Sequence, residues 1–365
     1  MQLNKVIISG GGTGGHIFPA IAIADEIKRR NPDAQILFVG AEGKMEMEKV
    51  PAAGYEIIGL KIVGFKRKFA VSNLLLPFKI LKSLIKARKI IKDFNPDVVV
   101  GVGGYASGPT LKAATLIGIP CLVQEQNSFP GKTNKLLAKK VQRICVAYDG
   151  LEKYFPANKI VITGNPTRQN MVDTEGKRNE GFDFYQFDPN KKTVLIMGGS
   201  LGARTLNNSV VNQLNNIPSE VQILWQCGKL YHDKLNQEYS KQLPPNVKLV
   251  EFISRMDFAY AIADIVVSRA GAISVSELCL VKKPTILVPS PNVAEDHQTK
   301  NAMALVDKKA AILVTDEECV NVLIPTIKEL LTDTKKCEVM SKNIHSLGKP
   351  NATSDIVNQL EKLKH

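Results

Sequence analysis

The first residues with evident chemical potential form a glycine-rich stretch, SGGGTGGHIFPA, directly after an apolar run near the start of the chain. Gly10, Gly12 and Gly15 match the G-x-G-x-x-G spacing of a dinucleotide-binding loop. Glycines let backbone N–H groups and a helix N-terminus approach a phosphate closely. The carboxylate expected after the second strand comes late, at Glu42, and His16 would crowd a pyrophosphate but suits proton transfer. A nicotinamide-dependent oxidoreductase is therefore the alternative and not the preferred prediction.

A second glycine cluster, GGSLGA, has the G-x-S-x-G spacing of a hydrolase nucleophile elbow around Ser200. Asp264 and His297 follow in an order that a catalytic triad permits. The loop opens the second of two repeated segments, however, whereas a hydrolase elbow belongs to one central sheet. We therefore favour a role in which the Ser200 hydroxyl and N–H groups at a helix start bind a phosphate.

The most informative polar residues lie in the stretch SRAGAISVSELCLVKKPTILVPSPNVAEDHQTKNA, residues 268–302. A small-residue loop leads into a helix that carries Glu277, a carboxylate suited to accept both hydroxyls of a ribose. Gln298 and Asn301 follow on the next loop and helix, and their side chains can bind sugar hydroxyls. The three residues together predict a nucleotide-sugar site.

Elements that could position these residues alternate along the chain. Six short apolar runs, from KVIISG to KIVITG, precede the stretch TGNPTR, and six more, from TVLIMGGS to AAILV, follow it. The alternation with helical patterns predicts parallel sheets covered on both faces. We expect an α/β protein with two Rossmann-like, doubly wound domains, 1–163 and 164–340, facing across a cleft, and a helical tail, 341–365, packing back on the first domain. Thr353 or Ser354 is the expected N-cap of the tail helix.

Composition limits the class of protein. The six cysteines of the 365-residue chain are scattered without a C-x-x-C pair, which indicates reduced core thiols and no zinc or redox site. No stretch resembles a signal peptide or approaches the roughly 18 apolar residues of a membrane span, so a cytoplasmic location is predicted. The net charge of +13 favours an anionic partner.

Most of that excess charge lies between Lys61 and Lys92, where ten Lys or Arg residues and no Asp or Glu are interleaved with apolar side chains. This composition is typical of a surface that binds anionic lipid. Nucleic acid is the other candidate anion, but stacking aromatics and a recognisable nucleic-acid module are absent. The residues predicted to contact the membrane are Leu74, Leu75, Leu76, Phe78, Lys79 and Lys82.

Seven motifs occur in a characteristic order: GGTGGHIFPA, GVGGYASGP, QEQNSFPGKTNKLLAKKV, TGNPTR, MGGSLGA, SRAGAISVSEL and DHQTKNA. In this order and over nearly the whole length, the chain resembles the MurG-type N-acetylglucosaminyltransferases of bacterial peptidoglycan synthesis. The resemblance implies a GT-B fold and transfer of GlcNAc, with inversion, from UDP-GlcNAc to the 4-hydroxyl of the muramyl sugar in lipid I, giving lipid II. It also implies a peripheral protein on the cytoplasmic face of the plasma membrane, working beside other cell-wall synthesis proteins.

The resemblance also implies residue roles. The second domain would bind the donor, and the first would bind the lipid acceptor. Relatives carry two consecutive glutamines where this chain has Gln298 and Thr299, so contacts of the second glutamine do not transfer. Expected donor contacts are Thr13, Gly14, Gly15, Asn127, Arg168, Ser200, the backbone near Ile253, Glu277, Gln298 and Asn301; expected acceptor contacts are Gly14, Gly15, Gly103, Gly104 and Tyr105.

The chemistry of the transfer requires a general base for the acceptor hydroxyl. His16 is the first candidate because an unperturbed histidine pKa, about 6.5, suits the task; Glu125 is the second. Loop N–H groups, a helix N-terminus and Arg168 could stabilise the departing UDP without a metal. The chain contains no D-x-D motif, and neither a metal nor another cofactor is expected. A non-catalytic membrane adaptor and a glycosyltransferase with a different lipid acceptor remain alternatives.

Overall fold

The computed structural model describes residues 2–62, 76–167 and 169–364, without the side chains of 76–79, 169, 170 and 294. The predicted contacts of Arg168, Leu74 and Leu75, and of the side chains of Leu76, Phe78 and Lys79, therefore lie outside the described residues. The chain divides into two compact units, one formed by Met1–Thr167 with Lys349–His365 and the other by Arg168–Gly348.

The first unit contains a parallel seven-stranded sheet. Its strands are β1 (Lys5–Gly10), β2 (Gln35–Ala41), β3 (Glu56–Leu60), β4 (Val98–Gly103), β5 (Cys121–Glu125), β6 (Arg143–Val146) and β7 (Ile160–Ile162). Its helices are α1 (Gly14–Arg30), α2 (Glu46–Ala52), α3 (Leu76–Phe94), α4 (Ser107–Leu116) and α5 (Lys132–Leu137), together with the last helix of the chain, α15 (Ala352–Glu361).

The second unit contains a parallel six-stranded sheet. Its strands are β8 (Lys192–Met197), β9 (Val221–Gln226), β10 (Val247–Val250), β11 (Ile265–Ser268), β12 (Thr285–Leu287) and β13 (Ile312–Leu313). Its helices are α6 (Gln169–Val172), α7 (Arg178–Tyr185), α8 (Arg204–Val211), α9 (His232–Tyr239), α10 (Met256–Ile262), α11 (Ala272–Val281), α12 (His297–Val306), α13 (Cys319–Thr332) and α14 (Thr334–Ser346).

Both sheets have the strand order of doubly wound folds, β3-β2-β1-β4-β5-β6-β7 in the first and β10-β9-β8-β11-β12-β13 in the second. The order reverses between β1 and β4, and again between β8 and β11. Ligands of such sheets bind outside the carboxyl ends of the strands at this reversal point. The prediction of two Rossmann-like parallel-sheet domains is confirmed.

Each sheet is buried on both faces, because consecutive side chains of a strand point to opposite sides. In β1, Val6 and Ile8 pack in one cluster with α1 and α15, while Ile7 packs in another with α3, α4 and α5. Arg30 of α1 donates to the Ser354 carbonyl of α15 at 2.9 Å and pairs with Glu361 at 3.1 Å, which fixes the last helix on the first unit.

Three details differ from the sequence-based expectation. The edge strand β3 was not predicted, because its sequence EIIGL has only two consecutive large apolar residues before a glycine. The prediction of Thr353 or Ser354 as N-cap is wrong, because α15 begins at Ala352 and both residues lie inside it. The unit boundaries fall at Thr167/Arg168 and Gly348/Lys349, later than the predicted 163/164 and 340/341.

All six cysteines are free thiols, and five of them are buried. Burial raises the pKa of Cys121, Cys145 and Cys279 to about 12. In the described ranges, no helix combines the length and the apolar character needed to cross a membrane.

Candidate active site

The two glycine clusters of the first unit meet at its reversal point. The loop after β1 and the loop after β4 are in backbone contact: a Cβ built on Gly104 would lie 2.4 Å from the carbonyl oxygen of Gly11. Gly104 also has φ +87, a conformation that favours glycine. The close approach leaves Thr13, Gly15 and Tyr105 exposed at the carboxyl edge of the sheet. The structure thus brings the predicted acceptor residues of the first unit together.

A buried carboxylate that sequence reasoning missed supports the first loop. Glu46 is 1% exposed and accepts hydrogen bonds from the backbone N–H groups of Gly12, at 2.8 Å, and Ala41, at 3.0 Å. A Cβ on Gly11 would lie 2.2 Å from the Glu46 Cδ, so only glycine fits above it. Glu42, the residue considered for ribose binding, instead pairs with Lys86 at the surface. Glu42 is therefore not placed as the ribose-binding carboxylate of a dinucleotide site, and the buried Glu46 carboxylate stabilises the glycine loop from below.

His16 lies in the first turn of α1, half-buried, with its ring against Gly103 at the end of β4. Its Nδ1 is 3.0 Å from Oε1 of Gln126, which follows β5. The two predicted residues His16 and Gly103 are therefore in contact, and Gln126 is a third partner that the sequence did not indicate.

Glu125, the second candidate base, is 1% exposed, and both carboxylate oxygens accept hydrogen bonds from the loop after β5 and from helix α5. The donors are the backbone N–H groups of Asn127 and Gly131, each at 3.0 Å, and the side-chain amides of Asn127, at 3.3 Å, and Asn134, at 2.9 Å. A carboxylate held in this way shapes the loop and is poorly placed to take a proton from a ligand.

In the second unit, the loop after β8 contacts the loop after β9. A Cβ on Gly202 would lie 2.1 Å from the Cys227 carbonyl oxygen, and one on Gly228 would lie 2.1 Å from the Gly202 nitrogen. Both glycines have positive φ, +88 and +83. This packing leaves Ser200 and Leu201 exposed beside the reversal point, just before α8.

The hydrolase alternative fails on geometry. Asp264 lies before β11, where it accepts a hydrogen bond from the Thr193 nitrogen at 2.8 Å. Ser200 lies beyond the opposite end of the adjacent strand β8, about 13 Å farther along at the rise of an extended chain. The two side chains therefore cannot belong to one triad.

Of the predicted residues in the 268–302 stretch, Asn301 contacts the loop after β11, whereas Gln298 and Glu277 form hydrogen bonds with other segments of the second unit. Asn301 of α12 is fully buried and donates to the Ala270 carbonyl at 3.3 Å, which ties the two motifs to each other. Gln298 accepts a hydrogen bond from the Ser290 nitrogen at 2.9 Å. Glu277, in the second turn of α11, accepts one from the Tyr260 hydroxyl at 3.4 Å. Ile253 is 2% exposed and packs in the core of the second unit, and the predicted contact of its backbone with a ligand stays a prediction.

Arg269 is a third residue, after Glu46 and Gln126, that sequence reasoning missed. Its guanidinium donates to the carbonyls of Val288 and Pro289, at 3.0 and 3.2 Å, and pairs with Asp316, which also accepts from the Thr205 hydroxyl at 2.9 Å. The arginine therefore joins the loops that follow three neighbouring strands. Its position within the SRAGA motif, two residues before the glycine, was the available clue.

Two family models match the chain in tandem. The N-terminal domain model of glycosyltransferase family 28 matches residues 6–146, and the C-terminal domain model matches residues 193–360. The chain belongs to glycosyltransferase family 28.

Relatives within this glycosyltransferase family are similar over the full chain. A Bacteroides fragilis protein is 56% identical over 98% of this chain and 95% of its own length, and one from Flavobacterium psychrophilum is 54% identical over 100% and 98%. Both are named UDP-N-acetylglucosamine–N-acetylmuramyl-(pentapeptide) pyrophosphoryl-undecaprenol N-acetylglucosamine transferase. The crystal structure of Acinetobacter baumannii MurG is 30% identical, with a TM-score of 0.79 over 98% of this chain and 99% of that one.

One position of this family-28 chain departs from the expected motif. Thr299 stands where the resemblance implies a second glutamine, and its hydroxyl donates to Asp296 at 2.7 Å. Asp296 has φ +52 and is the N-cap position of α12. The Thr299 hydroxyl therefore links the first turn of α12 to its N-cap residue, next to Gln298.

Proposed function

We propose that the protein is the inverting glycosyltransferase that moves GlcNAc from UDP-GlcNAc to the 4-hydroxyl of the muramyl sugar of lipid I, forming lipid II for peptidoglycan synthesis. The observation that carries the proposal is identity above 50%, over nearly full length, to enzymes named for this reaction. The presence of both family-28 domains in tandem supports it.

The donor is bound by the second unit. The Glu277 carboxylate accepts the ribose hydroxyls, and the backbone near Ile253 holds the uracil. Ser200 and the N–H groups at the start of α8 contact the diphosphate, with Arg168 as a further partner. Gln298 and Asn301 bind the GlcNAc moiety. Asn301 is fully buried and acts indirectly, because its hydrogen bond to the Ala270 carbonyl holds the loop after β11.

The acceptor is bound by the first unit. N–H groups of the two touching loops, at Gly14, Gly15, Gly103 and Gly104, face its lipid diphosphate, and the exposed Tyr105 lies beside them. Thr13 and Asn127 follow β1 and β5 at the same sheet edge, and we assign both residues to donor binding. Glu46 keeps the first loop in this conformation.

Chemistry follows from the positions of the two candidate bases. His16 accepts the proton of the acceptor hydroxyl as its oxygen attacks the anomeric carbon, and the bond from that carbon to UDP breaks with inversion. Glu125 organises its loop, since both of its oxygens are occupied. Donor-loop N–H groups stabilise the charge that develops on UDP.

The lipid substrate requires a membrane surface, and α3 supports peripheral binding at the cytoplasmic face. Its Ile80, Leu81 and Ile85 side chains are at least half exposed, between exposed cations that include Lys82 and Lys89. An apolar strip bordered by lysines suits insertion among anionic headgroups.

The deciding experiment measures UDP release from UDP-GlcNAc with and without a lipid I analogue of shortened chain. We expect release that depends on the acceptor, and a product heavier by one GlcNAc. UDP-GlcNAc binding without acceptor-dependent release would leave the family assignment intact and refute this acceptor. A cofactor-dependent absorbance change with NAD would instead favour the oxidoreductase alternative.

A further inference from the structure

A chain of four polar side chains runs from His16 into the interior of the first unit. Gln126 links His16, at 3.0 Å, to Gln124 through the Gln126 Nε2 group. Gln124 in turn donates from Nε2 to Oδ1 of Asn165 at 2.9 Å. The three amide residues are at most 2% exposed. Gln124 and Gln126 are two apart along β5 and its extension, so both point to the same side.

The direction of every hydrogen bond in this chain is fixed by backbone carbonyls. Nε2 of Gln126 shares its two hydrogens among three acceptor oxygens, the carbonyls of Val102, at 2.8 Å, and Gln124, at 3.2 Å, and the Gln124 side chain, so its Oε1 must be the atom beside His16. At the far end, Nδ2 of Asn165 donates to the Gln126 carbonyl at 3.0 Å, so its Oδ1 faces Gln124. Turning any amide over would place oxygen against oxygen in a buried site.

A carbonyl oxygen accepts hydrogen bonds and cannot donate them, so Nδ1 of His16 must carry the proton in the neutral ring. We propose that Gln126 is a positioning residue, which holds His16 in the Nδ1–H tautomer and thereby places the basic lone pair on Nε2. The proposal rests on the proposed function, in which His16 takes the proton of the acceptor hydroxyl.

The choice of a neutral amide has a consequence for the base. A carboxylate at this position would orient the ring equally well but would also favour the imidazolium, which cannot accept a proton. Gln126 orients the ring without adding a charge, and Gln124 with Asn165 holds Gln126 in turn. The ring face is fixed separately by Gly103, so both tilt and tautomer of His16 are set before substrate binds.

Nitrogen NMR of protein labelled with ¹⁵N-histidine tests the tautomer directly and does not depend on activity. The chain has five histidines, and a His16→Gln variant assigns the resonance pair of His16. Above the titration of the ring we expect a protonated Nδ1 and an unprotonated Nε2. A protonated Nε2 in the unsubstituted protein overturns the proposal, whether or not any variant folds.

The Gln126→Met variant, of similar length but without the acceptor, tests the consequence for catalysis. We expect the Nδ1–H preference to be lost and kcat for acceptor-dependent UDP release to decrease at least about tenfold, with an unchanged Kd for UDP-GlcNAc. Gln142→Met is the matched control, because Gln142 accepts from the Cys121 nitrogen at 2.7 Å and is no part of the chain to His16.

Unchanged kcat in Gln126→Met, with the tautomer lost, overturns the positioning role. No acceptor-dependent release by the unsubstituted protein would contradict the proposed function instead, and the NMR result would still decide the tautomer.

Discussion

The imidazole of His16 occupies the space in which a side chain at residue 103 would begin. A Cβ built on Gly103 would lie 2.9 Å from Cε1 and 3.1 Å from Nδ1 of His16. Gly103 has φ +99, which no other residue type adopts without strain. A glycine in the second motif therefore positions a histidine in the first, although 86 residues separate them.

Gly103→Ala should displace the His16 ring and lower kcat by about 10²-fold, the order of loss expected when a catalytic group moves by about an ångström. Gly118→Ala is the matched control, because Gly118 also has positive φ, +81, but has no atom within 4 Å of its Cβ position. Both variants carry backbone strain, and only the first meets the imidazole. Equal turnover in the two variants would contradict the positioning role of Gly103.

His16→Ala should lower kcat by about 10²- to 10⁴-fold, because it removes the general base. The Kd for UDP-GlcNAc, measured by calorimetry, should not change, because His16 is not among the assigned donor contacts. His345→Ala, an exposed histidine of α14, serves as control. Full turnover in His16→Ala would reject the base role.

Glu277→Ala should weaken UDP-GlcNAc binding by about 10- to 100-fold, since hydrogen bonds to a charged group contribute about 1.5–3 kcal/mol. Calorimetric titration with UDP-GlcNAc and with UDP should show the same loss, because both ligands carry the ribose. Glu338→Ala removes an exposed carboxylate from α14 and should bind as the parent does. An unaltered Kd for Glu277→Ala would refute the ribose assignment.

Sequence patterns could predict where the loops lie but not what lies beneath them. The carboxyl ends of parallel strands share one sheet edge, so the glycine clusters after β1, β4 and β8 were predictable as ligand-facing. Glu46 and Gln126 were not, because their partners are set by side-chain direction and loop packing between distant segments. The strand β3 was missed for a similar reason. Its own sequence carries no clear strand pattern, and it forms a strand because it pairs with β2.

Leu81→Glu with Ile85→Glu should reduce binding to vesicles that contain anionic lipid by about tenfold or more, since burying each large apolar side chain contributes about 1.5–3 kcal/mol. Vesicle sedimentation measures the loss, and added salt should weaken binding of the parent protein further. Val339→Glu is the control, because Val339 is 51% exposed on α14 of the second unit. Equal losses in both proteins would indicate a general charge effect and contradict an α3 membrane surface.

Lys283 gives a prediction for stability against pH. Its ammonium lies 3.4 Å from the Ala261 carbonyl, which also accepts from Arg178. Burial lowers the pKa of Lys283 from 10.5 to about 8. The charge of Arg178 adds a smaller decrease, and the carboxylate of Asp264 opposes it. The folded state therefore binds this proton less tightly than the unfolded chain does.

Between about pH 8 and pH 10.5 the unfolded chain retains the proton that the folded protein has lost, so this group makes the free energy of unfolding increase with pH. Below about pH 8 both states are protonated, and the destabilisation by the buried charge is at its maximum. Lys283→Met should therefore raise Tm at pH 7, and the difference from the parent should shrink as the pH approaches 10.5. Lys282→Met removes the same charge from an exposed neighbouring position and should show no such convergence. Thermal unfolding of the three proteins across this pH range tests the prediction. If the Tm difference between Lys283→Met and the parent did not change with pH, the Lys283 ammonium would not be destabilised by burial.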